Sequence, residues 1–299
     1  MSFANNLKTI VVATGLDGRS EAALEYARKL ASGYGARIVL AYGSDPLDYA
    51  VVEGVPGKLL QGLTEQARVA LNEMAADLLR EGIHSHSEIR QGAVVQMLVD
   101  IARQYEAGLI VVGTKGREGA GPIAVGAIAE ELVRKSPCPV LAVAADWNAG
   151  EFRPVPGGAI LLAMERNDAT DAAVNAAWSL AQVFKRTLLV VHARGSAEVS
   201  AILNPGTTKL EEFGIKPGAE FPVRLIVKDG NPADAIAQAI AQYKPSILVA
   251  GVKRKSDSPG PHGTAFALLA SSRVPVLCVP ADGAAESHTA EERVSVEIE

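Results

Sequence analysis

LIVVGTKGREGAGPIAVGAIAEELVRKSPCPVLAV, residues 109–143, is the stretch whose reading decides the fold. Residues 109–112 are all apolar and few, the pattern of a buried strand. Gly113, Gly116 and Gly126 follow, the last two with nine residues between them, and then an amphipathic helical pattern begins. A second apolar run closes the stretch behind Pro139. A strand, a glycine loop and a helix start in that order can turn backbone N–H groups toward a phosphate.

Upstream, the same alternation holds. Residues 10–13 form a short apolar strand, Gly15 to Arg19 a turn, and Ser20 an N-cap for a helix. Ala23, Leu24, Ala27, Leu30 and Ala31 share one face of that helix, which Gly33 and Gly35 end. Residues 37–42 read as a second strand and 44–57 as a loop with Pro46 and Pro56. A long helix over 58–80 carries Ala67, Leu71, Met74, Ala75 and Leu78 inward. A half-exposed strand over 84–90 follows, then Gly92 and a helix with Val95, Leu98, Val99 and Ala102. Strands alternating with helices at this density predict a parallel sheet covered on both faces.

The chain then repeats itself. Residues 160–163 stand 150 positions after 10–13, and Ala173, Val174, Ala177, Leu180 and Ala181 reproduce the first helix face at that offset. Gly230 answers Gly92 and Gly251 answers Gly113 at an offset of 138, so the second copy is about twelve residues shorter between its second and third strands. Asn204-Pro205-Gly206 breaks the helical pattern there. Two copies of one α/β unit predict two domains, residues 1–145 and 159–281, joined by a linker over 146–158 that has no hydrophobic period. Residues 282–299 form a tail with six acids against one arginine, a charge equal to the whole chain's −5; its composition predicts disorder, and the alternation of Val294, Val296 and Ile298 would suit an added edge strand.

A net charge of −5 argues against nonspecific nucleic-acid binding. The absence of a signal-peptide pattern and of any apolar run near 18 to 20 residues predicts a cytoplasmic chain with no membrane span. Aromatic residues make up only 5%, so the cores are built from Ala, Val, Leu and Ile. Cys138 and Cys278 read as small buried hydrophobes, without disulfide or metal-ligand spacing. His84 and His86 would share a strand face, but lacking further ligands nearby they read as solvent-facing, and no metal site is expected. No nucleophile elbow, Walker lysine or zinc-hydrolase motif is present, so no catalytic residue is assigned and the chain is not read as an enzyme.

GTKGREGAGPIAVGAIAEELVRKSPCPVLAV resembles the C-terminal motif of the universal stress proteins, G-x2-G-x9-G-[ST], with Gly113, Gly116 and Gly126 on its three glycines. SEAALEYARKLA, GNPADAI and the endings PCPVLAV and VPVLCVP support the resemblance in both halves. It implies two doubly wound five-stranded parallel sheets, of the adenine nucleotide alpha hydrolase-like type, packed as a pseudo-dimer through their last strands; a homodimer is left open. It also implies ATP or another adenine nucleotide across the strand ends, and a stress-response role whose protein partner is unknown. Carried onto this chain, the first site comprises Ala13, Gly15, Tyr42, Gly113, Lys115, Gly116, Gly126 and Ala127. Ala127 stands where the motif has Ser or Thr, Gly15 where nucleotide-binding members have an acid (Asp17 lies two residues on), and Tyr42 where an apolar residue flanks the adenine. The second comprises Glu165, His192, Gly251, Lys253, Gly263 and Thr264, with Arg254 in place of the second glycine. His262 beside Gly263 is a further candidate for an anion contact. Three functional readings remain: weak nucleotide binding, weak ATPase action in the same cleft, and a nucleotide-independent interaction module.

Overall fold

The computed structural model describes residues 3–16, 18, 20–44, 57–114, 127–145, 147, 158–164, 170–194, 222–252, 264–272 and 274–281. The first half runs α1 (Phe3–Asn6), β1 (Thr9–Ala13), α2 (Glu21–Tyr34), β2 (Arg37–Ser44), α3 (Gly57–Arg80), β3 (Ser85–Gln91), α4 (Val94–Gln104), β4 (Leu109–Thr114), α5 (Ala127–Lys135) and β5 (Val140–Ala144). The second runs β6 (Ile160–Ala163), α6 (Thr170–Phe184), β7 (Leu188–Arg194), β8 (Val223–Asp229), α7 (Pro232–Tyr243), β9 (Ile247–Val252), α8 (Thr264–Ser271) and β10 (Val276–Pro280).

Each half is a parallel five-stranded sheet, and the two join edge to edge. The strand order is β3-β2-β1-β4-β5-β10-β9-β6-β7-β8, ten strands in all. The only antiparallel pair among them is β5 with β10, registered Val140↔Cys278, Leu141↔Leu277 and Ala142↔Val276. The expected pairing of the final strands thus occurs within one chain. Because that pair is antiparallel, the strands of the two halves point in opposite directions.

The inner strands are apolar because both faces are covered, whereas the edge strands β3 and β8 carry polar and charged residues and are only half-buried. Ile10 and Val12 face one core and Val11 the other, as period-2 geometry requires. The first core gathers Ala23, Ala27 and Leu30 of α2, Leu71 and Leu78 of α3, and Ala173, Ala177 and Leu180 of α6. The second gathers Leu98 and Ile101 of α4, Leu132 of α5, Ile236 of α7 and Leu268 of α8. Each core crosses the boundary between the halves, so the molecule is one three-layer sandwich.

Small residues set the contact between α2 and α6. A Cβ on Gly33 would lie 2.4 Å from ring atoms of Phe184, so only glycine lets the helices approach this closely. Gly33 therefore sits inside the last turn of α2 and packs, while Gly35, at φ 64, is the left-handed residue that ends the helix. Tyr34 stacks edge-on with Phe3 and Phe184 at 6.1 and 6.0 Å between centroids. The repeat extends to backbone conformation, since Gly92 and Gly230 both have positive φ before their helices.

Ser20 does not cap α2. Its side chain makes no capping hydrogen bond, and its hydroxyl turns back to the loop leaving β1. The second and third strands lie close to their expected positions, with β2 running on to Ser44 and β3 shifted by one residue to Ser85–Gln91. Both cysteines are buried, and burial pushes the Cys278 thiol up to about 12. The Pro46 and Pro56 loop, the break at Asn204-Pro205-Gly206, the linker from 148 and the tail from 282 lie outside the described residues. No helix among the described residues is long and apolar enough to cross a membrane.

Candidate functional site

In an open parallel sheet, ligands bind outside the carboxyl ends of the strands where the order reverses. In the first half that point lies between β1 and β4, which pair through Ile10↔Leu109, Val11↔Ile110 and Val12↔Val111. Ala13 and Gly113 therefore end neighbouring strands. β2 runs alongside β1 with Ala13↔Ala41, which puts Tyr42 at the same edge. The backbone of Ala127 opens α5 on the crossover between β4 and β5, so α5 starts at that edge too. Ala13, Gly15, Tyr42, Gly113 and Ala127 are thus brought to one edge of the sheet.

The loop after β1 is held by two hydroxyls that sequence reasoning overlooked. Thr14, 7% exposed, hydrogen-bonds through Oγ1 to Ser20 Oγ at 3.1 Å, and Ser20 Oγ accepts the Gly15 N–H at 3.3 Å. The Leu16 N–H donates to Thr14 Oγ1 at 3.4 Å. This clasp holds Leu16 at φ 56, a left-handed conformation that a bulky side chain rarely adopts. Gly15, between them, is exposed. The only hint in the sequence was a Thr and a Ser at six residues' spacing around a turn.

Tyr42 is partly buried and packs against the first core. At the end of β2, Gly43 leaves room for Met97 of α4, whose Cε and Sδ lie 2.7 and 2.8 Å from where a Cβ would be. Lys115, Gly116 and Gly126, and Asp17, lie outside the described residues.

The second half places His192, Gly251 and the backbone of Thr264 at its own carboxyl edge, which opens on the opposite side of the molecule. Ala163 pairs with Ala250 and with Val191, so Gly251 and His192 flank the end of β6. The position equivalent to Thr14 is Met164, 8% exposed, which keeps the backbone bond (Met164 N–H to Val191 O, 2.9 Å) but offers no hydroxyl. A His192 ring nitrogen, Nδ1, lies 3.3 Å from the Met164 carbonyl, spending on the backbone a group that could have faced a ligand. Glu165, Lys253, Arg254, His262 and Gly263 lie outside the described residues.

His86 belongs to another cluster, on β3. Its Nε2 lies 3.6 Å from Glu88 Oε1, and Glu88 also accepts hydrogen bonds from Tyr105 Oη at 2.5 Å and from Arg90 Nε at 3.2 Å. Burial alone would raise the Glu88 carboxyl, but the bonds from Tyr105 and Arg90 and the charges of Arg90 and His86 together hold it below the usual carboxylate range.

The model of the Universal stress protein family matches residues 6–144 and again residues 158–280. A universal stress protein of Methanocaldococcus jannaschii is 30% identical over 141 residues, covering 46% of this chain and 83% of its own. One of Mycolicibacterium smegmatis is 27% identical over 189 residues, covering 61% of this chain and 63% of its own. Among solved structures, a universal stress protein from Archaeoglobus fulgidus superposes with a TM-score of 0.75 at 18% identity, covering 91% of this chain and 98% of that one. A protein of unknown function from Pseudomonas aeruginosa PAO1 does so with a TM-score of 0.67 at 19% identity, over 93% and 94%. These two likenesses establish the fold alone, with both halves present. Together with the two family matches, they make this chain a tandem, two-domain member of the universal stress protein family.

Proposed function

We propose that the chain binds ATP or another adenine nucleotide weakly, in the first-half cleft, and acts in the stress response as a binding protein without turnover. The observation that supports the reading is the difference between the two strand-end loops. The first keeps a hydroxyl-clasped turn with an exposed Gly15 and a strained Leu16 at the switch point. The second fills the same position with buried Met164. A preorganised loop lowers the entropy lost when a ligand is seated. The Gly113, Gly116 and Gly126 spacing supplies the phosphate-binding element expected beside it. Ala127, where the motif has a hydroxyl, weakens that binding and keeps a nucleotide-independent role in view.

The test is purification under native conditions, mass spectrometry of the released small molecules, and thermal melting in millimolar ATP. Co-purified adenine nucleotide or a raised melting temperature supports the reading. Neither, with no shift at millimolar ATP, refutes it. A linear ATP-to-ADP time course, abolished by a substitution in the cleft, would replace the binding protein by an ATPase.

A further inference from the structure

The two ends of the seam between the halves are built alike but finished differently. Where the chain leaves β5, the Ala145 N–H donates to the Thr114 carbonyl at 3.0 Å; where it leaves β10, the Ala281 N–H donates to the Val252 carbonyl at 3.2 Å. These are counterpart bonds in the two copies. After Ala145 the chain turns into the seam and seats Trp147, 8% exposed, edge-on against Tyr26 at 5.5 Å. The Tyr26 hydroxyl in turn donates to the Ser246 carbonyl at 3.0 Å. By the offsets of the repeat, the counterparts of Trp147, Tyr26 and Ser246 are Gly283, Ala176 and Gly108. The sequence therefore carries no second copy of the Trp147–Tyr26 pair for the other end.

An open groove of about 1110 Å³ lies there, beneath the amino ends of the first-half strands, lined by Lys8, Arg37, His84, Tyr105, Gly108 and Ala281 among others. α1 covers one side of it, so close that a Cβ on Gly108 would lie 2.1 Å from the Asn6 carbonyl oxygen. Among the described residues, Lys8, Arg37 and His84 have no carboxylate partner; Arg37 donates from Nε to Thr9 Oγ1 at 2.9 Å and stands 5.9 Å over the Tyr105 ring. Of the two acids on the lining, Glu81 is already held by Arg28 at 2.7 Å, leaving Glu106. Among the described lining residues, the cations Lys8 and Arg37 thus outnumber the one acid, Glu106, that has no arginine or lysine partner there.

We propose that the acidic segment 282–299 docks in this groove within its own molecule, as the second-copy counterpart of the chain that seats Trp147. The segment starts at the groove, since Ala281 is part of the lining. From β10, where the segment begins, to β3 is five strand spacings, roughly 24 Å at ~4.8 Å each. Eighteen residues at ~3.3 Å each span roughly two and a half times that distance. The segment carries −5, and Val294, Val296 and Ile298 supply apolar contacts on one side of an extended chain. This inference concerns the end of the sheet opposite the first-half nucleotide cleft and stands whether or not nucleotide binds.

The test uses the full chain with a nitroxide on Ser295→Cys. Both native thiols are buried, so the introduced one is labelled selectively. Amide resonances of Lys8, Arg37, His84 and Gly108 should be bleached, and they should recover in about 1 M salt, where the Debye length falls to roughly 3 Å. Lys8→Glu with His84→Glu, both exposed positions, should also restore them. A label on Glu299→Cys provides a second reading if the first perturbs the segment. Bleaching absent from the groove, bleaching centred on the β3 or β8 edge, or bleaching that appears only between labelled and unlabelled molecules overturns the proposal.

Discussion

The phenol of Tyr34 on α2 and the hydroxyl of Ser179 on α6 meet at 2.9 Å, joining the two halves by a side-chain hydrogen bond within the aromatic row of Phe3, Tyr34 and Phe184. Tyr34→Phe keeps the ring and removes the bond, so it should lower stability by about 1 kcal/mol. Ser179→Ala should do the same, and the double variant should lose less than the sum, as denaturant melts in a double-mutant cycle would show. Burial raises the Tyr34 phenol well above its ordinary value, with the Ser179 bond opposing it. The folded state thus holds the proton more tightly than the unfolded one. That contribution is fully present below about pH 10, the unfolded value, and is lost as pH rises above it. Tyr34→Phe should accordingly show a shallower fall in melting temperature above pH 10 than the parent.

Gly33→Ala should destabilise the chain although alanine is the better helix former by about 1 kcal/mol. The added methyl meets Phe184 at 2.4 Å, and overpacking costs roughly 1–3 kcal/mol. In a Phe184→Leu background the penalty should shrink by more than half. An equal penalty in both backgrounds would show that the α2–α6 approach is not set by this pair.

Lys185 follows α6 at φ 51, in the conformation that Gly35 adopts after α2 at φ 64. A side chain with a Cβ is strained there by about 1 kcal/mol. Lys185→Gly should therefore raise stability by about 0.5–1 kcal/mol, and Gly35→Lys should lower it, both read from denaturant midpoints at unchanged slope.

Ala127→Ser restores a hydroxyl at the position where the motif carries one, at the start of α5. One added hydrogen bond to a phosphate of about 1–2 kcal/mol corresponds to roughly fivefold to thirtyfold tighter ATP binding by calorimetry. No gain would place the limit on affinity at Gly15 or Tyr42.

The sheet and its doubling were legible because they rest on periodicity. Val11 and Val12 must alternate between two cores, and Ala173, Val174 and Ala177 repeat Ala23, Leu24 and Ala27 on the same helix face. The cleft was only half legible. The strand order puts the ends of β1 and β4 at the switch point, as the repeat predicts, but the Thr14–Ser20 clasp depends on a turn that brings together side chains six apart, and Ser20 before a helix reads first as a cap. Gly33 read as a helix terminator because sequence alone does not reveal that Phe184, far along the chain, packs over it. The difference between the two ends of the seam was hidden for the same reason: Trp147 sits in a stretch without period, and its burial is decided by Tyr26 of α2.

Nucleotide binding in the first-half cleft is tested most directly by amide chemical-shift mapping of the full chain titrated with ATP. Shifts are expected at the first-half strand ends, at Thr14, Gly15, Gly43 and Gly113, with Met164, His192 and Gly251 unmoved and one nucleotide bound per chain. Shifts concentrated at Met164, His192 and Gly251, or none at millimolar ATP, would contradict it.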